Sequence, residues 1–271
     1  MSNLVNLEIA GIRTALEIFN DKMLAKVRER YAAFIGNEAR PQVLVRVQVV
    51  PGARFVEPRP GPLIVETTFD GSRLTYRSYT DAGWADLDRG EGELQLAPET
   101  DAENFLRVLY AHLCLREGGL VLHAAGVLRE RGGFVFFGES GSGKTTTSRL
   151  SMELGYTVLS DDLVILRKRD DTYRVYGVPF RGEMMEAPRT NASGNLVGLY
   201  TLVKSQQHEL IALAPSRAIS RLTSCIPFVI TDPTSAGRVM QICSDLVAHV
   251  PVRELHFSRD SGFWRIIDES G

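Results

Sequence analysis

No stretch of this 271-residue chain stays apolar for the ~18–20 residues that a membrane-spanning helix requires, so no membrane partner is expected. The first residues, MSNLVNLEIAG, lack a basic segment followed by an apolar one, and no cleaved leader is expected from them. Cysteine is scarce. Cys114, Cys225 and Cys243 are isolated, an odd number without CxxC spacing, which argues against a disulfide framework or a zinc site and for reduced thiols in a cytoplasmic protein. Charge of one sign is also missing: 31 Lys and Arg against 33 Asp and Glu leave a net charge of −2. No bulk attraction to nucleic acid or to an anionic surface follows. Internal repeats and low-complexity segments are absent. What remains is ordinary globular composition, 44% apolar and 24% charged, in a chain long enough for one large domain or two smaller ones.

The pattern changes near residue 118. Residues 1–117 read as a mixed α+β module of unassigned role. Strand-like pieces lie between Leu4 and Phe19, and Asn20–Asp21 offers a cap for a helix carrying Met23, Val27, Tyr31 and Phe34 at helical spacing. VLVRVQVV from Val43 is a strand, stopped by Pro51–Gly52. A proline-rich loop over 53–62 and short strands over 63–96 follow, with a hairpin turn at Asp70–Gly71. A second helix over about 101–117 carries Phe105, Val108, Leu109, His112 and Leu113 on one stripe. His112 belongs to that stripe and reads as a core residue.

Residues 118–271 read as α/β. Short apolar runs at 120–127, 133–137, 156–160, 163–168, 173–177, 197–204 and 210–214 alternate with helical segments, including 216–226 and 235–250. The strongest signal is Gly138-Glu139-Ser140-Gly141-Ser142-Gly143-Lys144-Thr145, a complete GxxxxGK[ST], followed by Thr146. A strand precedes it and a helix can follow it. Glycines at these positions let backbone N–H groups turn inward at a helix N-terminus and form an anion cradle. Lys144 supplies a charge for the β- and γ-phosphates, and the Thr145 hydroxyl can ligate Mg²⁺. ATP is the expected nucleotide, although the loop does not specify the base.

A cradle binds without choosing a reaction. Asp161 and Asp162 end the run Tyr156-Thr-Val-Leu-Ser160, 17 and 18 positions beyond Lys144. That spacing fits one helix and one return strand, which brings both carboxylates to the sheet edge of the loop. On an extended backbone adjacent side chains point in opposite directions, so the two can divide between metal and acceptor. His123 lies on the run LVLHAAGV, 15 residues before Gly138.

His123 in LHAAGV, GESGSGKTT from Gly138 and LSDDLVIL with Asp161 and Asp162 together resemble HPr kinase/phosphorylase and its kinase-like relatives, whose nucleotide fold is shared with phosphoenolpyruvate carboxykinase. The closing segment Leu255-His-Phe-Ser-Arg-Asp-Ser-Gly-Phe-Trp264 is similar to the end of the kinase-like relatives, and the resemblance covers about residues 118–268. It implies a P-loop kinase domain that transfers phosphoryl from ATP, with Mg²⁺, to a hydroxyl, usually a serine of a protein, a peptide or a small molecule. It implies Asp161 as general base, Asp162 at the metal, Lys144 at the phosphates, and His123 near the γ-phosphate or the metal. Gly177-Val-Pro-Phe-Arg-Gly-Glu183 fits the G-x-P-x-x-G-E element of the kinase-like relatives and adds Glu183 as a metal ligand and Arg181 as a phosphate ligand. The glycine-rich signature of the bifunctional enzymes is arranged differently here, so the resemblance does not extend to phosphorylase activity or to HPr as substrate. Relatives often form homo-oligomers. Residues 184–196 read as a loop beside the site, carrying Arg189; Arg217 and Arg221 stand four apart on a helix and read first as surface charges. The competing reading is a P-loop ATPase or nucleotide-gated binding module without a phosphoacceptor. Carboxykinase-like chemistry on a small acid is a third, for which no Arg or Lys cluster marks a carboxylate pocket.

Overall fold

The computed structural model describes residues 2–57, 65–184, 186–230 and 232–270. Part of the proline-rich loop (58–62), the expected strand start at 63–64 and Met185 of the 184–196 loop lie outside them. The chain forms a mixed α/β structure with two sheets. It divides into two compact units inside a helix, at Leu113/Cys114; a short stretch ending at Thr234 joins the first unit. The change of sequence character places the division at 117/118. Among the described residues no helix is long and apolar enough to cross a membrane.

The first unit is built on a seven-stranded sheet. β1 (Leu4–Ile9) and β2 (Ile12–Ile18) form a hairpin. Its two-residue turn, Ala10–Gly11, has both φ values positive (54° and 72°), as the right-handed strand twist favours. α1 (Asp21–Arg30) is capped by the Asn20 side chain, which accepts the Met23 N–H at 2.9 Å. It buries Met23 and Val27 but ends before Tyr31 and Phe34, which a 3-10 turn at Ala32–Phe34 carries into the core. Its crossover makes β3 (Val43–Val49) parallel to β2. β4 (Glu66–Phe69), β5 (Arg73–Arg77), β6 (Asp81–Asp86) and β7 (Glu91–Leu96) form an antiparallel meander that joins β3 through β7. The turn after β4 is the one at Asp70–Gly71. α2 (Glu103–Arg116) buries Phe105, Leu109 and His112.

The second unit orders its strands around β8 (Gly119–Arg129). The amino-terminal half of β8 pairs with β11 (Leu163–Arg169), and the other half pairs with β9 (Gly132–Phe137) on one side and β10 (Thr157–Ser160) on the other. A two-residue turn at Asp170–Asp171, again with positive φ at both, returns β11 into β12 (Thr172–Tyr176). β12 pairs with the start of β13 (Ser193–Lys204), and β13 runs parallel to β9. The ladders β8–β11–β12–β13–β9–β8 thus close into a ring. β15 (Val252–Phe257) runs parallel to β13, and β14 (Glu209–Ala212) closes the edge.

Among the described residues the second unit also holds α3 (Lys144–Glu153), α4 (Pro215–Thr223), α5 (Pro233–His249) from Ser235 onward, and α6 (Phe263–Glu269). The core joins Phe134, Phe136, Tyr200, Leu255, Phe257, Phe263 and Trp264. Trp264 packs edge-on against Phe134, Phe136 and Tyr156 at 5.1–5.5 Å and donates its indole N–H to Ser151 at 3.1 Å, pinning α6 to α3.

Candidate functional site

β9 delivers the chain to Gly138, and the glycine-rich loop ends in α3, which begins at Lys144. Gly143 takes φ 116° at the helix entry, and a Cβ there would lie 2.6 Å from the Phe257 ring. A glycine is required on both counts, left-handed backbone and close approach. The loop gathers polar groups inward. Lys144 is buried and donates to the carbonyls of Gly138 (2.9 Å) and Glu139 (3.1 Å). Burial pushes its ammonium below the usual range, while the neighbouring Cys225, Asp162 and Glu183 act against that shift. The Ser142 Oγ is buried with no hydrogen-bond partner among the described residues, an orphaned donor inside a cradle. A cavity of about 240 Å³ opens on the loop, lined by Gly138 to Ser142, Thr201 to Lys204, Arg221 and Cys225. Glu139, Ser140 and Gly141 form its wall, Thr146 follows on α3, and Arg221 turns its α4 side chain toward it.

Asp161 and Asp162 lie between β10 and β11 on the far side of β8, and the Asp162 carbonyl accepts the Ala124 N–H at 2.9 Å. Ala124 pairs with Phe137, the last residue of β9, so carboxylates and loop share one end of the sheet, one strand apart. The two side chains have separate surroundings. Asp161 is buried, and its Oδ2 accepts the N–H groups of Glu183 (3.0 Å) and Met184 (3.1 Å) and lies 3.4 Å from the Thr145 hydroxyl. A Cβ on Gly182 would overlap that carboxylate, so glycine lets the 177–184 segment close over it. Glu183 brings its own carboxylate to 3.3 Å from Thr145. Asp162 keeps 24% of its side chain exposed and faces the His123 Nε2 at 3.3 Å.

The structure thus brings Thr145 together with Asp161 and Glu183, and Asp162 with His123, while the Lys144 ammonium has both Asp162 and Glu183 as charged neighbours. Arg149 reaches Glu186 in the following loop at 3.0 Å, and Arg217 lies 3.9 Å from Glu254. The three cysteines are all buried and free. Among the described residues no group of three His, Cys, Asp or Glu side chains forms a metal cage. Mg²⁺ does not need one: it is commonly held by one or two carboxylates, a hydroxyl, waters and phosphate oxygens. The hard oxygen donors Thr145, Asp161 and Glu183 fit such an ion. Phe257, which braces Gly143 from the end of β15, lies in the closing segment singled out for its resemblance, but no sequence signal marked its approach to the loop.

Fold and site define a mixed α/β protein in which a glycine-rich loop at a helix entry shares one sheet end with two adjacent aspartates. Residues 101–270 match the model of the family described as SynChlorMet cassette protein ScmC, more than half of the chain, and the chain belongs to this family. No curated protein matches it. Among solved structures, the HPr(Ser) kinase/phosphatase from Coxiella burnetii is similar over 55% of this chain and 91% of that one, at 11% identity and a TM-score of 0.32.

Proposed function

We propose that the second unit binds ATP with Mg²⁺ and transfers the terminal phosphoryl group to a hydroxyl of a protein, peptide or small molecule. One observation carries the reading: the Thr145 hydroxyl at the helix entry sits within 3.4 Å of Asp161 and 3.3 Å of Glu183, while Asp162 is paired separately with His123. Oxygen donors for a cation and a second, accessible carboxylate stand at one end of one sheet. Bound Mg²⁺ would neutralise phosphate charge and orient the terminal group.

The chain's own groups do the rest. Backbone N–H groups of the loop and the Lys144 ammonium hold the phosphates, and the ammonium leaves its Gly138 and Glu139 carbonyls to do so. The acceptor oxygen bonds to the terminal phosphorus as the bond to the bridging oxygen breaks, and ADP leaves with that electron pair. The acceptor proton passes to a carboxylate. Resemblance to the kinase relatives gives that task to Asp161. The geometry favours Asp162 instead, because Asp161 Oδ2 is already engaged by two backbone N–H groups beside Thr145, whereas Asp162 is partly exposed and faces His123. Asp161 then serves the metal side together with Glu183.

The test is incubation of the purified protein with γ-labelled ATP, Mg²⁺ and hydroxyl acceptors, as serine, threonine and tyrosine peptides and as dialysed lysate of the source cell. Label should move to an acceptor and vanish with Lys144→Ala. Release of inorganic phosphate alone, whatever the acceptor, makes the protein an ATPase and overturns the transferase reading.

A further inference from the structure

Lys144 is not alone as a cation at the glycine-rich loop. The cavity of about 240 Å³ is also lined by Lys204, the last residue of β13, and by Arg221 in the last turn of α4. Arg221 is partly buried, yet among the described residues its guanidinium makes no hydrogen bond and no ion pair. Glu139, the carboxylate in that lining, is exposed on the loop and pairs with neither cation. Arg217, one turn earlier on α4, gives the contrast: its side chain is 62% exposed and lies 3.9 Å from Glu254. A guanidinium drawn partly out of water without a carboxylate costs free energy, and an entering anion offsets that cost. The lining holds a second unsatisfied polar group, the buried Ser142 Oγ. Both groups can donate, and phosphate oxygens accept.

The backbone fixes where α4 ends. The carbonyl of Cys225, just beyond it, accepts the His123 N–H at 2.8 Å, which ties this end of the helix to β8 beside the transfer groups. Cys225 lines the same cavity and neighbours the Lys144 ammonium. Arg221 stands one helical turn before Cys225. The cavity therefore lies at the phosphate end of the loop, with Arg221 on its wall.

Building on the nucleotide reading above, we propose that Arg221 is a phosphate-binding residue of the nucleotide site, donating to phosphate oxygens from α4 as Lys144 does from α3. Its planar fork can bond two oxygens at once, whereas the Lys144 ammonium acts as a point charge. Because the contact is to phosphate, its worth does not depend on the base or the ribose. Arg221 reads the charged tail of the ligand and leaves the nucleoside to other groups.

Calorimetry with ATP and with inorganic tripolyphosphate, each in Mg²⁺, on the full chain and its variants tests this. Arg221→Gln should weaken both ligands by the same factor of about 10, the scale of one hydrogen bond to a charged group, and Arg221→Lys should recover part of the loss. Arg217→Gln, the same change of charge one turn away, should leave both affinities unchanged. Without ligand, Arg221→Gln should keep the wild-type urea midpoint, since its guanidinium has no partner in the protein to lose. Unchanged tripolyphosphate affinity in Arg221→Gln overturns the proposal. So does an equal loss in Arg217→Gln, which would be a general effect of charge, or a lowered midpoint, which would make Arg221 structural. A wild type that binds neither ATP nor tripolyphosphate refutes the nucleotide reading itself, whereas a wild type that binds both, matched by Arg221→Gln, refutes only the role of Arg221.

Discussion

Asp161 is buried beneath two backbone N–H groups beside Thr145, whereas Asp162 keeps an open face and a histidine partner. Replacing each by asparagine should therefore have distinct consequences. Asp162→Asn should lower turnover by about 10²–10⁴-fold, the usual worth of a positioned general base, with ATP and Mg²⁺ affinity unchanged. Asp161→Asn should weaken Mg²⁺ binding and loosen the segment at Glu183, read as a higher Mg²⁺ requirement in steady-state kinetics. The opposite pattern restores the division that the kinase resemblance implies. At this scale the sequence displayed the strand–loop–helix around Lys144 and Thr145 and the placing of both aspartates at the same sheet end, because both follow from local motif and spacing. It could not display the partners. Asp161 meets Glu183 and Met184 across 22 and 23 positions, a closure that depends on how one loop folds back.

Short elements carry more of the second unit than their length suggests. α6 has seven residues, too few for a helical pattern to emerge from sequence, and β15 alternates weakly between buried and partly exposed residues. Neither was legible as an element, although the closing segment Leu255–Trp264 stood out by resemblance; α6 supplies Trp264, and β15 supplies Phe257 beneath the loop. Removing the Trp264 indole takes away three edge-on ring contacts and the Ser151 bond. Trp264→Ala should cost about 3–5 kcal/mol of stability, measured as a drop in the urea midpoint, and loosen α3 against the sheet. The pairing directions were hidden for a related reason. Apolar runs show that strands are buried on both faces, but the tight turns at Glu130–Arg131 and Asp170–Asp171, which make β8–β9 and β11–β12 antiparallel, do not carry the usual Asn-Gly or Asp-Gly signature.

Taken as a whole, the molecule is two compact units, and each has its own buried polar chemistry. In the first unit, burial lowers the His112 imidazole to about 4 from 6.5, with Asp232 acting weakly against the shift. Phe69 covers the ring at 4.2 Å. The folded state then binds this proton less readily than the unfolded chain, so the contribution is complete above pH 6.5 and is lost as pH falls toward 4. About 3 kcal/mol of stability should disappear across that window. Burial raises Asp81 instead, and its contribution runs the other way with pH. Urea unfolding of the wild type and of His112→Phe at pH 7 and pH 4.5 separates the two effects, since Asp81 is common to both proteins and only the wild type should show the histidine slope. The sequence disclosed His112 as a stripe residue because helical spacing alone places it. It said nothing of a ring of ladders, which needs pairings between strands far apart in the chain.

The ring has one practical result. β12 and β13 are adjacent antiparallel strands, joined at Tyr176–Ser193 and by the Gly177 N–H to the Ala192 carbonyl at 2.9 Å. Everything from 178 to 191 is therefore an excursion whose two feet stay side by side, whatever its length. Such a segment can be shortened, extended or exchanged between homologues without shifting the register of the strands beneath it. The exception is Gly182–Met184, which must keep its place while the rest of the segment changes, because its N–H groups at 183 and 184 hold the Asp161 carboxylate.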